Sequence, residues 1–169
     1  MLKNFKLFLL SAVMIFSVGS YCSAAETYIS QDNLTTYIEK CNQVLKTIDA
    51  NSSLDMPKEA SNENALLNYI DKIETESKIP IEIFYTVKDD KMYTVALNAE
   101  SYNNEVRKYF DHLCKIYLQG LGLTDEEATG MLAKMHEKRG RSNFFVQRLN
   151  CRLQLSLYGN NLLISARDK

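Results

Sequence analysis

Histidine is nearly absent from this chain: of 169 residues, only His112 and His136 are histidine. That scarcity removes most zinc chemistry. His136-Glu137 opens the helical zinc pattern H-E-x-x-H, but Gly140 stands where the second ligand is required. A catalytic zinc would have to draw on cysteines or carboxylates from elsewhere, so no metal and no cofactor is expected. Phosphate loops are missing too, since neither G-x-x-x-x-G-K-[ST] nor G-x-G-x-x-G occurs, and no G-x-S-x-G elbow presents a serine nucleophile. Past Val18 no apolar run approaches the ~20 residues of a membrane-spanning helix, so none is expected in the mature chain.

The residue groups that resemble sites have structural explanations. In Asp111-His112-Leu113-Cys114, residues two apart on a helix do not face each other. His112 instead shares a stripe with Lys108 and Lys115, which makes no metal site. Asp89-Asp90 reads as a hairpin turn and Glu126-Glu127 as the start of a helix. Asn33-Leu34-Thr35 and Asn51-Ser52-Ser53 match the glycosylation sequon, which matters only in a eukaryotic secretory route.

What is present begins with an export signal. Lys3 and Lys6 precede an apolar or small-residue run from Leu7 to Val18, too short to span a bilayer but suited to a signal-peptide core. Cys22 with Ala24, or Ser23 with Ala25, supplies the small residues of a cleavage site. Lipidation of Cys22 would want a small residue before it, and Tyr21 is bulky. Residues 1–24 are therefore expected to be a cleaved signal peptide. Residues 25–169 then form a single exported α+β domain, periplasmic or extracellular.

Cleavage leaves Cys41, Cys114 and Cys151. Cys41 and Cys114 lie on apolar helical stripes, and Cys151 alternates with leucines, so all three are expected to face the core. An oxidising compartment favours pairing. Cys114–Cys151 is the best disulfide candidate, the alternative being buried free thiols.

Periodicity orders the elements. Asp32 to Asp49 reads as a helix capped by Ser30 or Asp32, and Ser61 to about Ser77 as a second helix with Leu66, Leu67, Ile70 and Ile73 inward. The period then falls to 2, giving a hairpin over residues 79–97 that turns at Asp89-Asp90. Ser101 to Gln119 reads as a helix ended by the glycines of "GLG". Thr124-Asp-Glu-Glu127 is a capping box for the next helix, which runs to about Lys138. A second hairpin follows from Phe144, turning near Gly159-Asn160. The expected fold is thus an antiparallel sheet of about four strands, two hairpins, covered by helices in the order ααββααββ. That order suggests an internal duplication of residues 32–98 and 101–167.

Charge is unevenly placed. Loss of Lys3 and Lys6 from 20 basic and 21 acidic residues leaves a net charge of −3. Yet between Lys134 and Lys169 there are 8 basic residues against Glu137 and Asp168. Lys138, Arg139, Arg141, Arg148 and Arg152 form the candidate binding surface, with Arg148 and Arg152 on the strand face opposite Leu149, Cys151 and Leu153. Such a surface suits an acidic protein or an anionic envelope component. Nucleic acid is not expected, because aromatic residues do not interleave the charges. The sequence reading is an exported, soluble, non-enzymatic protein that acts through protein or cell-envelope contacts. Two alternatives are a hydrolase with a dispersed active site and a small-ligand carrier lined by Tyr85, Tyr93 and Tyr117.

Overall fold

Asn33 starts the first helix, its side-chain oxygen accepting the Thr36 backbone N–H at 2.9 Å. In the computed structural model, which describes residues 28–63, 65–138, 141–146 and 151–167, this helix, α1, runs Leu34–Ile48. Ser30 and Asp32, expected as caps, bond each other at 2.7 Å instead, and Lys40 closes on Asp32 at 2.8 Å. Residues 1–24, expected as a signal peptide, and Cys22 among them lie outside the described residues, as do Arg139 and Arg148.

The helix expected over residues 61–77 is a pair of strands, β1 (Lys58–Glu63) and β2 (Leu66–Glu74). Leu66, Leu67, Ile70 and Ile73 fit a helical stripe, but Ala65 takes a φ of 63° and turns the chain back before them. Pairing with β3 (Pro80–Lys88), unbroken from Leu66–Lys88 to Glu74–Pro80, then decides between the two periods. Tertiary pairing overrides a weak local preference here. The hairpin of β3 and β4 (Lys91–Ala99) turns at Asp89 and Asp90, whose φ values of 49° and 59° suit a tight two-residue connection.

α2 (Asn104–Gly120) is capped by Asn103 and followed by Gly122 at φ 90°. α3 (Asp125–Glu137) opens on the capping box: Glu127 N–H donates to Thr124 Oγ1 at 3.2 Å, and Thr124 N–H donates to the Glu127 carboxylate at 2.7 Å. Replacing Thr124 by Ala removes one acceptor and should lower stability by ~1 kcal/mol, read as a chemical-denaturation midpoint shift at constant m-value. β5 (Arg141–Val146), β6 (Cys151–Tyr158) and β7 (Asn161–Arg167) complete the chain, with Gly159 at φ 56° in the last turn.

The strands form one seven-stranded antiparallel sheet, ordered β1-β2-β3-β4-β7-β6-β5. Two meanders therefore meet at their last strands. This corrects the expected four-stranded sheet and the order ααββααββ, although sheet-plus-helix, an α+β architecture, remains. It also removes the repeated ααββ unit: residues 32–98 carry one helix and β1 to β4, and residues 101–167 carry two helices and β5 to β7.

All three helices among the described residues lie on one face. Tyr85, Val95, Ile164, Leu155 and Ser142 share a cross-strand row. The Tyr85 hydroxyl meets that of Tyr117 on α2 at 2.8 Å, and Ser142 Oγ donates to the Lys134 carbonyl of α3 at 3.0 Å. α1 joins through the Tyr37 hydroxyl, which donates to the Tyr117 carbonyl at 2.9 Å. Where α1 crosses α2, a Cβ at Gly120 would overlap the Cys41 sulfur. That contact makes glycine necessary there.

Candidate functional site: the outer strands and the face turned from the helices

On the sheet face opposite the helices, register aligns small polar residues across every strand. The row runs Ser61, Asn68, Thr86, Thr94, Ser165, Gln154, Asn143. Asn68 Nδ2 donates to Ser61 Oγ at 3.1 Å, Thr86 Oγ1 to Asn68 Oδ1 at 3.0 Å, and Gln154 Nε2 to Asn143 Oδ1 at 2.8 Å. Thr94 and Gln154 are only 3% and 4% exposed, although no described helix lies on this face. These three bonds give Asn68, Thr86 and Gln154 the partners that buried polar groups require. Beside this row runs a half-buried apolar one, Ile70, Phe84, Ala96 and Leu163.

The candidate basic residues divide along β5. Lys138 is exposed at the end of α3 and Arg141 opens β5 opposite Ser156, whereas Arg152 lies at the other end, opposite Phe145. Four residues of strand, ~13 Å, separate the positions of Arg141 and Arg152. Among the described residues, Lys138 and Arg152 thus belong to opposite ends of β5. Arg152 is exposed, and its register partner on β7 is Arg167. Like charges directly opposite on adjacent strands are destabilising. Phe145, next to Arg152, is 52% exposed, and Tyr158 at the far end of β6 is 58% exposed.

The interior holds a second cluster. Tyr85 and Tyr117 pack edge-on at 5.9 Å and 84°, and Tyr37 stacks on Tyr117 at 6.4 Å; all three are fully buried. Tyr93, expected beside Tyr85 and Tyr117, instead meets Tyr28 edge-on at 6.2 Å, and Tyr37 takes its place. Burial pushes the hydroxyls of Tyr37, Tyr85 and Tyr117 well above their usual range. Burial also raises Cys41 to about 12 and drives Cys114 upward. Such thiols are poor nucleophiles. Cys114 is a free thiol in this structure, and the Cys151 side chain, its expected partner, lies outside the described residues.

One pairing was invisible in the sequence. His136 Nε2 lies 2.8 Å from Asp111 Oδ1, with Arg107 at 3.9 Å from the other carboxylate oxygen. The two residues are 25 positions apart, and only the short glycine-containing turn between α2 and α3 could have suggested that their helices are neighbours. This pair ties α2 to α3. His112, as expected, is exposed. Among the described residues no group of three or more His, Cys, Asp or Glu is arranged to hold a metal ion, and no helix is long and apolar enough to cross a membrane. Compared with protein-family models, curated proteins and solved structures, the chain matches none.

Proposed function

We propose that the protein is exported and acts without catalysis, by contact with an anionic partner: an acidic protein or an anionic component of the cell envelope. The observation that carries this reading is the exposed Arg152, whose register position on the neighbouring strand is a second arginine, Arg167. An exposed cation beside a second cationic position is suited to an external counter-charge. Export is supported by Lys3 and Lys6 ahead of the apolar run and by the small residues around Ala24.

Arg152→Glu separates the two roles. A glutamate opposite Arg167 should raise stability by ~0.5 kcal/mol, while reversing the charge offered to a partner. The expected outcome is a higher melting temperature together with loss of the partner captured from an envelope fraction by the unaltered protein. A variant that captures the same partner equally well would overturn the reading.

A further inference from the structure

The sheet has two edges, and they are built differently. β1, at one side, reads Lys-Glu-Ala-Ser-Asn-Glu: charges at Lys58, Glu59 and Glu63, with a register shift between Glu59 and Ser61. Charge and a bulge are the usual means by which an edge is kept from pairing with another chain. β5, at the other side, has no register shift, and its one charged residue is Arg141 at its start. It pairs with β6 in unbroken register from Arg141–Ser156 to Val146–Cys151, and carries no charge from Ser142 to Val146. Among the described residues no strand lies along its outer side.

We propose that β5 is a self-pairing edge, through which two copies of the chain join antiparallel over Ser142–Val146 into one continuous sheet. The occupant is a second copy because the segment is complementary to itself. A two-fold axis normal to a sheet keeps each side chain on its own face, so residues can pair only when their numbers have the same parity. Centred on Phe144, the pairing sets Asn143 opposite Phe145 and Ser142 opposite Val146, with no charge facing another.

On the face turned from the helices, the exposed Asn143 and the 52%-exposed Phe145 of each copy cover one another. On the helix face the two half-buried Phe144 rings come side by side and extend the core, against which each already packs. The backbone groups along the edge supply the cross-copy hydrogen bonds of strand addition. This pairing is independent of the anionic-partner reading, since Arg152 belongs to β6, one strand in from the edge.

Sedimentation velocity on the purified protein should show reversible association to twice the single-chain mass at ~10–100 μM, as befits a small interface. Amide exchange over residues 142–146 should slow as concentration rises, with no such change in β1. Phe145→Lys, which installs the usual edge guard at an exposed position, should weaken association at least about tenfold while the chain stays folded by far-ultraviolet circular dichroism, its melting temperature lowered modestly by a lysine opposite Arg152. The double variant Asn143→Cys/Phe145→Cys should cross-link between chains on oxidation, which fixes the register. Arg152→Glu should leave association intact. A monomer throughout this range, a dimer indifferent to Phe145→Lys, or concentration-dependent protection elsewhere than β5 would overturn the proposal.

Discussion

Raised above about pH 10, the protein should unfold cooperatively, losing far-ultraviolet circular dichroism and burial of its tyrosines in a single transition. The cause is the interior cluster of Cys41, Cys114, Tyr37, Tyr85 and Tyr117, all neutral in the folded state and all shifted upward by burial. An acid whose folded value lies above its unfolded value favours folding at low pH. That contribution is complete below the unfolded value and disappears as pH climbs through the folded one. Cys41 moves from 9.0 to about 12, so its contribution begins to fall near pH 9. Across that interval the one thiol accounts for ~4 kcal/mol, against a typical total stability of ~5–15 kcal/mol. With Cys114 and three tyrosines acting in the same direction, the fold should not survive to pH 12. Retention of native dichroism at that pH, with tyrosinate absorbance appearing while the chain stays folded, would contradict it.

Gly120→Ala should destabilise the protein by ~1–3 kcal/mol, the range for forcing an extra methyl into a filled core. The added carbon meets the Cys41 sulfur, with the Tyr37 ring 3.4 Å away, so neither neighbour has open space to retreat into. Backbone conformation is not the issue, since Gly120 ends a helix without a positive φ. Removing the sulfur should therefore remove most of the penalty. In a Cys41→Ala background, Gly120→Ala is expected to cost under ~1 kcal/mol, and the difference is the coupling between the two sites. Equal costs in both backgrounds, from denaturant midpoints, would show that α1 and α2 do not meet at this contact.

Elements whose local chemistry is unambiguous were legible from residues alone. The capping box Thr124–Glu127, the Asp89-Asp90 turn and the apolar stripe of α1 each depend on residues within one or two turns of one another. The β1–β2 pair was not legible. Leu66, Leu67, Ile70 and Ile73 satisfy a helical spacing, while the alternate face of β2 is split between Leu66, Asn68, Ile70 and Lys72, hiding the period of 2. The start of β5 was missed for a related reason: Arg141, Ser142 and Asn143 resemble a polar loop until β6 is laid beside them.

The candidate surface was legible only as composition. An excess of arginine and lysine near the C-terminus is plain in the sequence. Whether Lys138 and Arg152 stand together depends on which way β5 runs, and it carries them apart. The polar row was out of reach for the same reason. Each of Ser61, Asn68, Thr86, Thr94, Ser165, Gln154 and Asn143 is unremarkable within its own strand, and only the pairing of all seven strands lines them up.

Binding of the purified protein to an isolated envelope fraction, followed at increasing salt for the unaltered chain and for Arg152→Glu, tests contact through the cationic outer strands most directly. The expected result is saturable binding by the unaltered chain that weakens steadily with salt, and none above background for Arg152→Glu despite its greater stability. Binding of equal strength by both proteins, unmoved by salt, would contradict it.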